Sequence, residues 1–117
     1  MCPFHILFEV PMKRETQYQR GVVKKIRTLF PGCVVLRTDP TQLQGIPDVL
    51  VLYKDRWALL EFKKSANEPT QPNQEYRVRE FRDMSYASFI FPENEERVLR
   101  ELQQALGSRR KTRISQP

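Results

Sequence analysis

Two apolar runs, residues 49–53 (Val-Leu-Val-Leu-Tyr) and 57–62 (Trp-Ala-Leu-Leu-Glu-Phe), are separated only by Lys54-Asp55-Arg56. Runs this short, rich in β-branched and aromatic residues and joined by a polar link, form a β-hairpin rather than a helix. Neither run alternates strictly between apolar and polar, so its strands are expected to be largely covered on both faces. The hairpin is then the centre of the molecule, and the flanking chain must supply layers to cover it.

The flanking chain has the periodicities to do so. Over residues 13–30 the spacing is helical, with Tyr18, Val22, Ile26 and Leu29 on one stripe, and Pro31-Gly32 ends it. Residues 33–36 read as a strand, followed by a loop broken by Asp39-Pro40 and Gly45. After the hairpin, a polar loop over 66–72 leads to a helix over 71–84 with Tyr76, Val78 and Phe81 as its apolar members. A strand over 86–91 follows. Pro92 opens a last helix over 93–106 that turns Val98, Leu99, Leu102, Ala105 and Leu106 inward, with Gly107 as the expected C-cap. At the start of the chain, Phe4, Ile6, Phe8 and Val10 alternate with His5, Leu7 and Glu9, a strand period stopped by Pro11. The expected organisation is an extension over 1–11, one domain over 12–107 and a flexible basic tail over 108–117. The element order is β-αβββαβα, a mixed sheet flanked by helices in the α/β class.

Composition removes several alternatives. With 117 residues the chain supports one core and not a two-domain enzyme. Cys2 and Cys33 form no C-x-x-C pair and His5 is the only histidine, which argues against a zinc site or a disulfide framework. No apolar run approaches the roughly 20 residues of a membrane span, and the first ten residues lack the basic start of a secretory signal. A soluble, intracellular, cytoplasmic protein with no membrane partner is expected. The excess of 20 Lys+Arg over 14 Asp+Glu, a net charge of +6, points towards a polyanionic partner.

The chemistry concentrates at one end of the hairpin. A two-residue turn at Lys54-Asp55 sets Asp48 opposite Glu61, and directly opposed residues have Cβ atoms only about 5 Å apart. Both carboxylates could then reach one divalent cation. Side chains alternate along a strand, so Glu61 and Lys63 share a face while Phe62 turns to the other. Two acids close together in an apolar hairpin would push one pKa up, and a bound cation removes the conflict. Taken singly, Asp48 could be a strand start, and Glu61 with Lys63 an exposed ion pair. The combination of Pro-Asp with Glu-x-Lys at hairpin distance argues otherwise.

Gly45-Ile46-Pro47-Asp48, the following strand and Glu61-Phe62-Lys63 together resemble the PD-(D/E)xK nuclease motif. The glycine ahead of Pro-Asp, the small size and the Pro72-Asn73-Gln74 helix start resemble the VRR-NUC (virus-type replication-repair nuclease) family in particular, over about residues 12–106. The resemblance implies a restriction-endonuclease-like core and a metal-dependent endonuclease acting on DNA. It implies that Asp48, Glu61 and the backbone carbonyl of Phe62 hold Mg2+, with Mn2+ as a substitute. Lys63 would position or deprotonate the attacking water. Gln74 would face the site from the next helix, and Glu15 would contact a second ion or the water shell. Glu15 also lies on the same helical side as Gln19, Val22 and Ile26, although a solvated first-turn acid is an equally good reading. Gln71 reads as a helix-start residue, His5 as a strand residue and Cys33 as a small buried hydrophobe.

Phosphate contacts are expected from Lys13, Arg14, Arg20, Lys24 and Lys25 on the first helix, Arg37, Lys64, and Arg77, Arg79 and Arg82 on the helix after the motif. Residues 1–64 carry +5, residues 65–107 carry −3 and residues 108–117 carry +4, so the charge gathers on the motif half and the tail. The expected task is structure-selective cleavage of branched or Holliday-junction DNA in replication, recombination or repair. A homodimer would bring two sites together, with residues 4–10 adding a strand across the contact. A site-specific homing or restriction-type endonuclease and an inactive DNA-binding module are the alternatives.

Overall fold

The computed structural model describes residues 14–108, with side chains over 16–107. The strand expected over 4–10, Lys13 and the tail beyond 108 lie outside the described residues, and Arg14 and Glu15 are described by backbone only. The order is α1 (Arg14–Leu29), β1 (Val34–Arg37), β2 (Val49–Tyr53), β3 (Arg56–Phe62), α2 (Pro72–Met84), β4 (Tyr86–Ile90), a 3-10 turn (Pro92–Asn94), α3 (Glu95–Gln103) and a π-helical turn (Gln104–Ser108). The four strands form one sheet in the order β1-β2-β3-β4. The first two pairings are antiparallel, and β3 with β4 is parallel, connected through α2. This is the mixed sheet flanked by helices expected from the sequence, a restriction-endonuclease-like α/β arrangement.

The hairpin register is the expected one. Tyr53 pairs with Arg56 and Val49 with Leu60 across a turn whose Lys54 takes φ 59°, so the next position out sets Asp48 against Glu61. β3 is buried along both faces from Ala58 to Phe62. β2 is not: Leu52 is 36% exposed and Leu50 only partly covered. The reason is the layering. On one face α1 and α3, with the residues that directly follow them, cover β2, β3 and β4, packing Val22, Ile26, Phe30, Val98, Leu102 and Leu106 onto Val49, Val51, Leu60, Phe62 and Ile90, while β1 contributes the partly buried Val35. On the other face α2 covers only the β3-β4 half, through Val78 and Phe81 against Leu59, Trp57 and Ala87.

Three other expectations are corrected. The stripe of α1 runs along the i, i+4 row Val22-Ile26-Phe30, which leaves Leu29 38% exposed. Tyr76 on α2 is 55% exposed and stacks with the Arg77 guanidinium 5.2 Å from its ring centre, since only Val78 and Phe81 reach the sheet. Gly107 is no left-handed cap: α3 tightens through its 3-10 start and runs into a π turn that contains it, and only Gly32 and Gly45 among the described glycines have positive φ.

Candidate active site

The end of the sheet where β2 starts and β3 finishes gathers the motif side chains. β1 prepares it: the Thr38 amide donates to the Asp48 carbonyl at 2.9 Å, and its hydroxyl to the Pro47 carbonyl at 2.6 Å. Pro47-Asp48 is thereby held at the mouth of β2. Asp48 is half-buried, and its Oδ2 accepts the Phe62 amide at 3.0 Å. The carboxylate takes the place of a main-chain partner that β2 no longer supplies, which fixes Asp48 against β3.

Glu61 and Lys63 are 3% and 5% exposed, an unusual depth for charged side chains. Gln74, on the first turn of α2, stands between them. Its Nε2 donates to Glu61 Oε2 at 2.9 Å, and its Oε1 accepts Lys63 Nζ at 2.9 Å. The same oxygen accepts the Gln71 amide at 3.2 Å, half of a capping box, while Pro72 occupies the first helical position. One glutamine therefore caps the helix, holds an acid and orients a base. Lys63 Nζ further approaches the Pro69 carbonyl at 3.4 Å and the Phe89 ring at 5.7 Å from its centre. Gln71 is the N-cap, as expected.

The electrostatics of Asp48 reflect this setting. Burial pushes its carboxyl above the ordinary value, the Phe62 amide and the charges of Lys63 and Arg37 pull it back, and the Glu68 charge adds to the rise. The net shift is upward, the condition that a cation at the site relieves.

Asp48 and Glu61 offer hard carboxylate oxygens from opposed positions on one face. Mg2+ needs only one or two such carboxylates and keeps several waters, so this donor set fits it. Among the described residues no three of His, Cys, Asp and Glu cluster as metal ligands. The Glu15 side chain, expected as a further contact, lies outside the described residues. Tyr18, one turn further along α1, rests against Phe62 with ring centres 5.9 Å apart, so the start of α1 lies beside this end of β3.

The cations expected on DNA divide into groups. Arg37 flanks Asp48, and Arg20, Lys24, Lys64 and Arg79 are exposed. Lys25 pairs with Glu95 at 2.5 Å, Arg77 with Glu80 at 2.7 Å and with the Gln44 carbonyl at 3.3 Å. Arg82 donates to the Ala87 carbonyl at 2.9 Å and faces Glu101 at 3.6 Å. These three fasten elements together: α1 to α3, α2 to the loop ahead of Pro47, and α2 to β4 and α3.

Sequence reasoning missed Thr38 and Glu68, which reach the site only through the paths of two loops and carry no local signal. In the sequence the glycine ahead of Pro-Asp reads as a loop breaker, and the structure supplies a second reason for it. Gly45 has φ +83°, and a Cβ there would lie 2.8 Å from the Asn73 carbonyl oxygen, so the loop that delivers Asp48 is pressed against the turn that delivers Gln74.

No family model matches the sequence, and no curated protein does. Two solved structures are similar. One, described as a VRR_NUC domain, is 25% identical with a TM-score of 0.57, covering 68% of this chain and 85% of its own. The other, described as a VRR_NUC domain protein, is 19% identical with a TM-score of 0.59, covering 83% and 93%. The likenesses support a relationship to the VRR-NUC family, and with it to the PD-(D/E)xK superfamily.

Proposed function

We propose that this chain, a relative of VRR-NUC domains, is a metal-dependent endonuclease that hydrolyses phosphodiester bonds in branched DNA. The observation that carries the proposal is the buried Glu61-Gln74-Lys63 chain of hydrogen bonds beside Asp48. Charges at this depth cost stability and serve no packing purpose. Asp48, Glu61 and the Phe62 carbonyl would hold Mg2+ or Mn2+. Such an ion, when bound, lowers the pKa of water and polarises a phosphoryl oxygen.

The protein's own residues do the rest. The Phe62 amide fixes one Asp48 oxygen, and Gln74 fixes one Glu61 oxygen, so neither carboxylate needs to reorganise. Gln74, Pro69 and the Phe89 ring aim the Lys63 ammonium at the space beside Glu61, where it offsets charge developing on the attacking oxygen and the phosphate. Arg37, next to Asp48, and the exposed Arg20, Lys24, Lys64 and Arg79 would hold neighbouring phosphates.

The test is a panel of labelled duplex, single-stranded, flapped and four-way-junction DNA with Mg2+, Mn2+ or EDTA. Cleavage of branched substrates that needs metal and disappears in Glu61→Ala is expected. Cleavage in EDTA, or by Glu61→Ala at the parent rate, would refute the proposal. Two cuts across a junction call for two sites, and β1 ends the described sheet with Val34 and Leu36 each 47% exposed. A dimer that deletion of residues 1–11 weakens is expected by analytical ultracentrifugation; an unchanged dimer after deletion argues against strand addition.

A further inference from the structure

A groove of about 340 Å³ runs between α1 and β1, beyond the hairpin end that carries the motif. Val23 and Val35 form its apolar wall over the buried Val49, and Arg20, Arg27 and Arg37 line its rim. Arg37, the register partner of Val49, lines the groove and its charge acts on Asp48, so the groove lies within reach of the candidate active site although Val49 and Asp48 turn to opposite faces of the sheet.

Gln19 also lines this groove. It is only 7% exposed, on a helix whose neighbouring inward residues are Val22 and Ile26. Among the described residues nothing hydrogen-bonds its amide. Its amide is nevertheless not sealed from solvent, so its donor and acceptor are open to the groove. The groove thus combines an amide with donor and acceptor capacity, aliphatic walls and a cationic rim. Guanidiniums suit phosphates, aliphatic walls suit the face of a base, and a glutamine amide can bond a base edge in two places. The volume falls within the roughly 300–1,000 Å³ of small-ligand sites, room for one nucleotide.

We propose that this groove is a subsite for one unpaired nucleotide of the substrate strand next to the scissile bond. Gln19 hydrogen-bonds the base, Val23 and Val35 pack against it, and Arg27 and Arg37 hold the flanking phosphates. This rests on the nuclease reading above, and it explains how a small domain would favour branched over continuous DNA: only a strand free of its partner can enter.

The experiment uses the full chain in EDTA, so that binding is read without cleavage. Fluorescence anisotropy compares a labelled single-stranded oligonucleotide with a blunt duplex of equal length, and thermal melts follow the free protein. Gln19→Leu is expected to melt at or above the parent, because a mostly buried side chain becomes apolar and no hydrogen bond to a described residue is lost, while its single-strand affinity falls about tenfold and its duplex affinity stays put. That combination is one a purely structural glutamine cannot produce. Gln19→Met, nearly isosteric, serves if the leucine does not fold. Arg27→Gln should lower the slope of log affinity against log salt by about 0.7 on the single strand. Unchanged single-strand affinity in the Gln19 variants overturns the subsite, whatever the melting temperature does. An equal loss on single strand and duplex overturns it too, since the groove would then hold backbone alone. If the parent cleaves branched DNA while the Gln19 variants bind like the parent, the subsite falls and the nuclease reading stands; a parent that neither binds nor cleaves DNA removes both.

Discussion

Replacing Gly45 by alanine should unfold more than a loop, and three glycines of this chain separate the causes. Gly45 combines a φ of +83° with a Cβ position only 2.8 Å from the Asn73 carbonyl oxygen and 3.0 Å from its carbon. Gly32 has φ +87° with nothing within 4 Å, and Gly21, inside α1, has open space and helical geometry. Left-handed backbone costs an L-residue about 1–2 kcal/mol. Forcing a methyl against main chain that cannot swing aside adds about 1–3 kcal/mol. Alanine returns about 0.4–1 kcal/mol by restricting the unfolded chain. Gly45→Ala should therefore lose roughly 2–4 kcal/mol, Gly32→Ala about 1 kcal/mol or less, and Gly21→Ala should gain about 0.5–1 kcal/mol. Urea denaturation reads all three, the first as a fall in midpoint of about 1–3 M at an ordinary slope. Because the clash displaces Asn73, and Gln74 is the next residue, the folded Gly45→Ala protein should also cleave more slowly at saturating substrate. A loss below about 0.5 kcal/mol, or a loss equal to that of Gly32→Ala, would show that the two loops are not pressed together and would remove this account of the glycine.

Asp48 has a folded pKa raised above its ordinary value of 3.8, chiefly by burial. A raised acid stabilises the fold fully below the unfolded pKa and loses that contribution as pH rises through the folded one. In metal-free buffer Asp48→Asn should therefore match or exceed the parent's stability at pH 7, with the advantage shrinking towards pH 4, while cleavage is abolished; a less stable variant at pH 7 refutes the sign. Gln74→Ala removes both the donor to Glu61 and the acceptor of Lys63, which should cost about 1–3 kcal/mol in urea and slow cleavage; parent-like cleavage would show that the glutamine serves only the helix start. Lys63→Met should slow cleavage by about 10²–10⁴ with substrate affinity nearly kept, and a change confined to affinity would move the lysine from chemistry to binding.

The hairpin register was legible because period and turn length are local: a two-residue turn at Lys54-Asp55 leaves Asp48 facing Glu61, whatever the rest of the chain does. Glu61, Lys63 and Gln74 were legible as residue types in a spaced motif. Their depth was not, because burial of Lys63 depends on where Pro69 and Phe89 come to rest, and these arrive from a loop and a parallel strand. The exposed face of β2 was misread for the same reason. An apolar run reports that a strand could be buried on both faces, whereas the number of helices on each side decides whether it is. Leu29 and Phe30 show the limit on a smaller scale: both continue the period of α1, and only the position of Tyr53, whose ring centre lies 5.2 Å from that of Phe30, selects the second.

The unequal layering bears on how the site can exist at all. Burying a carboxylate and an ammonium with one amide between them is unfavourable unless the surrounding frame is rigid enough to prevent relaxation. Here the frame comes from the opposite face. Phe62, between Glu61 and Lys63 in sequence, is fully buried against α1 and α3, so the strand cannot rotate to expose its polar neighbours without extracting it. The hydrogen bond of Tyr18 and the ion pair of Lys25, both to Glu95, bind those two helices to each other. The apolar face therefore holds the polar one in place. A cavity made there, such as Phe62→Ala at a cost of about 3–5 kcal/mol, should slow cleavage even in molecules that remain folded, although Phe62 offers the site nothing but its backbone.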